Sequence, residues 1–308
     1  MPSELHHTRT TSGLITSDPL RSLPIGSELQ VTSNLFAAQS KVGLNSVSNW
    51  DFFNGAVVAL HFGNTKGQRI LGSGVLVAPG VAITARHVIE PEKTRLISGE
   101  QELICTGISQ QGLVIWKCHQ ATLVEHADIA LLMIRCASAL PSPLQQATLT
   151  TRMPRVGEQI VIAGIRDHAD SSIEIGTPSK ISMMVGCGSV TARYERARDR
   201  VLLPSPCFEV DCPAMGGMSG GPAFDEAGFL VGLVASSFEG ESPGPTFLSL
   251  LWPAFVEQIN PSWPDGLSKS PTTLLGMDRR ICAIHRPEAI QVSRDELGRT
   301  TATYHFWD

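Results

Sequence analysis

The sequence has little charge, and it lacks every pattern that would commit it to a membrane, a metal or a nucleic acid. Charged residues make up 17% of the 308 positions against 42% hydrophobic, with a net charge of −5. That is the composition of a globular chain able to bury a core, not of a disordered one. The negative balance offers no general attraction to nucleic acid or to an anionic lipid surface. No apolar run approaches the ~18–20 residues needed to span a bilayer. Gly228–Phe238, among the longest, is interrupted by glycines and serines and reads as a buried strand. The start, Met1-Pro-Ser-Glu-Leu-His-His7, has no basic stretch followed by an apolar one, so no secretory leader is visible and a cytoplasmic location is expected. The seven cysteines are odd in number and contain no C-x-x-C pair, which suits free thiols in a reducing compartment. His6-His7 and the scattered cysteines lack metal-ligand spacing, and H-E-x-x-H and phosphate-cradling glycine loops are absent. Neither a metal nor any other cofactor is expected.

What the chain does have is Cys212-Pro-Ala-Met-Gly-Gly-Met-Ser-Gly-Gly-Pro-Ala-Phe224, one serine among four glycines and two prolines. Glycine at that density marks backbone in unusual dihedrals or in close approach to a ligand. A tight loop with its N–H groups turned to one side stabilises an oxyanion, which is what a serine nucleophile generates at a carbonyl. Serine is a weak nucleophile near neutral pH and needs a base, itself oriented by a third group. Upstream, apolar runs about Pro79-Gly80 end in Thr84-Ala-Arg-His87, and Asp128 opens the apolar strand Ile129–Ile134.

Thr84-Ala-Arg-His87, Asp128-Ile-Ala-Leu-Leu and Gly217-Met-Ser-Gly-Gly-Pro222 together resemble the three catalytic motifs of the chymotrypsin/trypsin-like serine proteases, in that family's order of His, Asp, Ser. The resemblance covers roughly Ala56 to Pro253. It implies two antiparallel β-barrels with the site in the cleft between them, His87 as base, Asp128 as its orienting partner and Ser219 as nucleophile. The N–H groups of Gly217 and Ser219 would form the oxyanion hole. It further implies an endopeptidase acting on a protein or peptide through an acyl-enzyme. Secreted members carry cysteines where this chain has Val88 and Met215, so it reads as an intracellular version without disulfides. Met218 stands where an aspartate is common; a methionine cannot pair with a freed amino terminus, so the loop Pro213–Met218 is expected to be ordered from synthesis, or by packing, substrate or a partner. A regulatory protein partner stays open.

By the same resemblance the primary specificity pocket has Pro213 at its base, followed by Ala214, with walls from Ala235-Ser236-Ser237 and from near Thr246. Proline there excludes the acidic base that selects Lys or Arg, and a small or apolar residue before the cut is expected. Two other readings compete. One is a protease-like module that only binds. The other is an α/β-hydrolase-type esterase, whose nucleophile elbow shares Gly-x-Ser-x-Gly and for which Asp278 and His285 or His305 would be drafted. Gly220-Gly221-Pro222 would break the helix that this esterase fold requires after its serine. The arginine-rich run Arg193–Arg200 is interleaved with Glu195 and Asp199, so it reads as a solvated hairpin face, with docking of a partner open.

The expected layout is all-β. Residues 1–55 form a partly flexible N-terminal arm with at most one helix near Leu29–Leu44. Residues 56–136 form the first barrel, with strands at Ala56–Phe62, Arg69–Val77, Val81–Thr84, Leu113–Lys117 and Asp128–Ile134. A linker follows at 137–155. The second barrel, 156–253, has strands at Gln159–Gly164, Lys180–Val185, Val201–Leu203, Cys207–Val210, Phe229–Ser236 and Thr246–Trp252. Residues 254–308 are a C-terminal helix and extension.

Overall fold

A computed structural model of the chain describes residues 5–15, 27–37, 43–47, 52–63, 70–138, 144–167, 181–201, 203–237, 244–261, 271–294, 296 and 300–305. It is built on two closed six-stranded antiparallel barrels. No helix among the described residues is long and apolar enough to cross a membrane.

The N-terminal segment differs from the expected arm. It carries three strands, β1 (Leu5–Ile15), β2 (Ser27–Ala37) and β3 (Gly43–Val47), and the described residues between 29 and 44 are strand, not helix. β1 and β2 pair antiparallel, while β3 joins the second barrel. Their partners explain why these polar stretches are strands: a Ser/Thr-rich segment gains order from a neighbouring ladder, not from its own periodicity.

The first barrel consists of β4 (Val57–Gly63), β5 (Ile70–Ala78), β6 (Val81–Thr84), β7 (Glu102–Ser109), β8 (Gly112–Leu123) and β9 (Ala130–Cys136), closed in the order β4-β5-β6-β9-β8-β7. Successive strand residues face opposite sides. Val58, Leu60, Leu76, Ala82, Leu132 and Trp116 fill the interior, whereas Ala59, Val75, Val77, Ile83, Leu131 and Met133 point outward into a cluster shared with the second barrel. A strand buried on both faces reads as an unbroken apolar run, which is why Ala130–Ile134 shows no alternation. β7, by contrast, alternates partly exposed and buried positions about Leu103 and Cys105 and escaped the expected strand set.

The expected linker holds two short strands, β10 (Leu144–Ala147) and β11 (Leu149–Thr150). β10 lies parallel to β2, and Gln146 Nε2 donates to Ser33 Oγ (3.0 Å) and to the Ile281 carbonyl (2.6 Å). This crossing segment therefore binds both ends of the chain to the body.

The second barrel comprises β12 (Gln159–Asp167), β13 (Ile181–Tyr194), β14 (Cys207–Val210), β15 (Pro222–Asp225), β16 (Leu230–Ser237) and β17 (Thr246–Leu250). The ring β12-β13-β14-β17-β16-β15 closes through β15–β12 pairing. Val201 and Leu203 lie in the β13–β14 loop rather than in a strand, and β15 is an addition to the expected set. The C-terminal helix is one short turn, Trp252–Val256, and the extension carries three short strands: β18 (Ile284–His285) pairs with β11, and β19 (Ile290–Arg294) pairs with β20 (Thr300–Tyr304). Tyr304 stacks on Trp252 at 4.9 Å and donates to its carbonyl.

Candidate active site

His87 sits on α1 (Arg86–Ile89), a single turn directly after β6, and Asp128 lies in the β8–β9 loop. Two bonds join them: the His87 backbone N–H donates to Asp128 Oδ1 at 2.9 Å, and the ring Nδ1 meets Asp128 Oδ2 at 2.8 Å. An ionised carboxylate only accepts, so Nδ1 carries the proton and Nε2 presents its lone pair. The imidazole is 45% exposed and the carboxylate 11%. The imidazole is therefore open to the cavity while the carboxylate that orients it is screened from water. Arg86 braces the turn, donating to the Val124 carbonyl at the start of the loop that carries Asp128, and forking onto Glu90. That pairing raises the Arg86 pKa and lowers that of Glu90. His126, at φ 59, projects into solvent beside Glu125.

Ser219 lies on the loop between β14 and β15, and this loop is stitched to the first barrel. The Ser219 carbonyl accepts from Ser73 N–H at 2.7 Å. Ser73 Oγ donates to the Gly217 carbonyl and accepts from Ile165 N–H, both at 2.8 Å, and Thr84 Oγ1 donates to the Ser73 carbonyl at 2.7 Å. Gly220 adopts φ +78, and a methyl there would stand 2.6 Å from Ala85 N and collide with Thr84 Oγ1 and the Ser73 carbonyl. The serine loop thus rests on the strand end that launches His87. Sequence reasoning missed Ser73 and Thr84 as positioning groups; the signal was present in Gly72-Ser-Gly, a glycine-flanked serine in a buried strand.

Within the loop, the N–H groups of Met218, Gly220 and Gly221 are engaged by the carbonyls of Met215, Val234 and Met218. Those of Gly217 and Ser219 take no acceptor among the described residues, and Gly217 has φ +91. Met218 is fully buried: a side chain on Gly164 would meet its Cα at 2.8 Å, and its sulfur accepts from Met215 N–H at 3.4 Å. The residue that stands where an aspartate is common is a packing anchor for the loop.

His87, Asp128 and Ser219 line one cavity of about 660 Å³. Ala214, Ala235 and Ser236 line it too, together with Met215, Gly216 and Val234. Pro213 and Thr246 do not. Pro213 is half-buried, and Thr246 is fully buried with its hydroxyl donating to the Cys212 carbonyl at 2.5 Å. Ser237 closes β16 opposite Thr246; its side chain lies outside the described residues. The groups an esterase would draft lie elsewhere: Asp278 is paired with Arg280, His285 stacks on Phe229 at 4.3 Å, and His305 is bonded to the Ala289 carbonyl. Ser219 is followed by β15 and not by a helix.

A family model described as trypsin-like peptidase domain matches residues 72–233. The peroxisomal leader peptide-processing protease of Mus musculus is 25% identical over 195 residues, 63% of this chain. This chain spans 30% of that protein's length. Among solved structures, Deg5 aligns at 19% identity and TM-score 0.46, covering 64% of this chain and 84% of its own. Neuropsin, a serine protease of mouse brain, aligns at 16% and TM-score 0.45, covering 64% and 89%.

Proposed function

The chain belongs to the trypsin-like peptidase domain family, and from that premise we propose that it is a serine endopeptidase working through an acyl-enzyme on Ser219. The observation that carries the reading is the two-point bond of Asp128 to His87 beside Ser219 in a single cavity. Ser219 Oγ attacks the scissile carbonyl carbon as its proton passes to His87 Nε2. The electron pair displaced onto the carbonyl oxygen is stabilised by the unengaged N–H groups of Gly217 and Ser219, a donor type worth ~3 kcal/mol of barrier each. Collapse breaks the C–N bond, and the leaving amine takes the proton from Nε2. Water, deprotonated by the same nitrogen, then attacks the ester and releases the new carboxyl terminus and Ser219. Asp128 stabilises the imidazolium in both halves.

The mouse relative is named for processing a leader peptide, which supports cleavage of an extended segment in a protein substrate. All seven thiols are free and six are buried, Cys212 with its pKa pushed up to about 12 by burial, which supports work in a reducing compartment, the cytoplasm.

The test is labelling by a fluorophosphonate probe together with cleavage of a peptide library. Wild type should label on Ser219 and cleave. Ser219→Ala and His87→Ala should each lose turnover by about 10⁶-fold with the thermal midpoint nearly unmoved, because triad members act as a unit. Either variant retaining most of the activity sinks the assignment, and a folded wild type silent in both assays favours a module that only binds.

A further inference from the structure

The cavity that holds Ser219 also contains a cation with no counter-charge. The Arg86 and Glu90 side chains at its edge neutralise each other at 2.6 Å, His87 is bonded to Asp128, and His126 lies 3.3 Å from Glu125. Arg200, on the β13–β14 loop across the cavity, has neither ion pair nor hydrogen bond among the described residues. Its sequence neighbours do not serve it. Asp199 is turned into its own loop, accepting from Val201 N–H at 2.9 Å and Leu203 N–H at 3.2 Å, with Arg198 3.8 Å away. Arg198 in turn lies over the Phe247 ring at 3.8 Å.

The same bonds make the loop a built one. The N–H groups of Arg198 and Asp199 both reach the Leu203 carbonyl, so the backbone is folded back on itself at the residues that present Arg200. Val201, beside it on the cavity, is 83% exposed. Near the serine the cavity wall is small and apolar, made by Ala214, Val234 and Ala235.

We propose that Arg200 is a specificity-determining residue that pairs with a substrate carboxylate, so that the enzyme prefers an acidic group a short distance from the bond it cuts. The inference rests on the endopeptidase reading and adds the substrate class to it. A guanidinium is the side chain best shaped to take a carboxylate bidentately. The carboxylate has two sources, an Asp or Glu side chain within the substrate or the carboxyl terminus of a short one.

The experiment walks Glu, Gln or Lys through each position flanking the scissile bond of fluorogenic peptides made with free and with amidated carboxyl termini. At one position Glu should exceed Gln by about threefold in kcat/KM, the scale of an exposed ion pair, and the ratio should shrink toward unity in high salt. Arg200→Glu should invert the ratio in favour of Lys. Arg196→Glu, on the same loop, exposed and away from the cavity, should leave it unchanged. A preference that persists in amidated peptides assigns the side chain; one seen only with free termini assigns the terminal carboxylate. Wild type that labels on Ser219 and cleaves, yet discriminates charge at no position and at neither terminus, overturns the inference alone, as does a preference that Arg200→Glu retains. Absence of both labelling and cleavage overturns the endopeptidase reading and the inference with it.

Discussion

The two barrels support their shares of the site in different ways. In the first, His87 and Asp128 are joined by two bonds between segments of the same barrel, one turn after β6 and one residue pair before β9. Arg86 adds a third tie inside that barrel, to Val124. In the second, the loop bearing Ser219 is held from both sides, by Val234 and Gly164 of its own barrel and by Ser73, Thr84 and the backbone against which Gly220 lies in the first. The His87–Asp128 pair is therefore a property of one barrel, while the position of Ser219 is a property of the contact between two. Substitutions that loosen the contact should cost activity out of proportion to stability, and matched changes inside the first barrel should not.

The largest effect of this kind is expected from glycine pairs. Gly220→Ala drives a methyl into Thr84 and the Ser73 carbonyl at a φ of +78, whereas Gly112→Ala, at φ +114 in the β7–β8 turn, meets nothing within 4 Å. Both carry backbone strain of ~1–3 kcal/mol, and only Gly220 adds overpacking of a similar size. Urea unfolding should place Gly220→Ala below Gly112→Ala by roughly 2 kcal/mol, and probe labelling of Ser219 should fall at least tenfold in the first and stay near wild type in the second. Equal labelling in the two would mean that the serine loop does not depend on the barrel contact.

Two serines refine the comparison. Ser73 Oγ donates to the Gly217 carbonyl and accepts from Ile165 N–H across the barrels. Ser109 Oγ does the same work locally, donating to the Gly112 carbonyl at 3.0 Å and accepting from Gln111 N–H at 3.2 Å. Removing either hydroxyl leaves a donor and an acceptor to find water or go unpaired, ~1–3 kcal/mol where they are buried. Ser73→Ala should also lower kcat by about tenfold through the Gly217 carbonyl, since an oxyanion donor is worth ~3 kcal/mol and is only partly displaced. Ser109→Ala should leave kcat alone. A Ser73→Ala enzyme with reduced stability and unchanged kcat would reduce this hydroxyl to a structural tie.

What was legible beforehand divides along the same line. The three motifs that meet at the cavity were readable as motifs because each is short and local: a histidine at a strand end, an aspartate before an apolar run, a serine among glycines. The first-barrel strands Val57–Gly63, Val81–Thr84 and Ala130–Cys136 were readable because burial on both faces leaves long apolar runs. What escaped was whatever takes its order from a distant partner. β2 is polar, yet it lies beside β10, with Phe36 packed against Phe53 at 5.4 Å and Phe224 at 5.3 Å. β3 is five residues long and is ordered by β13; a methyl on Gly186 of that strand would meet both Leu44 and Cys212. Thr246 was expected near the pocket wall by the family resemblance. The alternation of β17 turns its hydroxyl inward to the Cys212 carbonyl instead.

The smallest effect separates the barrels by pH. In the first, His61 is buried on β4 with its Nε2 against Thr106 Oγ1 at 2.8 Å, and burial lowers its pKa from the ordinary 6.5. In the second, burial pushes the Glu158 carboxyl up, but its bonds to Arg152 and to Arg155 N–H outweigh this and hold it below its ordinary 4.5. Arg152 also holds Asp225 of β15 at 2.6 Å, so Glu158 is part of a brace between the β12 approach and β15. The signs follow from linkage. A histidine kept neutral by the fold contributes fully above 6.5, and its contribution declines as pH falls through 6.5 toward the lowered folded value, because the unfolded chain takes up the proton first. A carboxylate held low contributes fully above 4.5 and is lost only as pH falls from there through its folded value. Acidification should therefore weaken the His61 site first and the Glu158 brace second. Urea midpoints measured from pH 7 to pH 3 should show two declining steps, the upper flattened in His61→Gln and the lower in Glu158→Gln. A Glu158→Gln protein that declines as steeply as wild type below pH 4.5 would remove the brace from the account of acid stability.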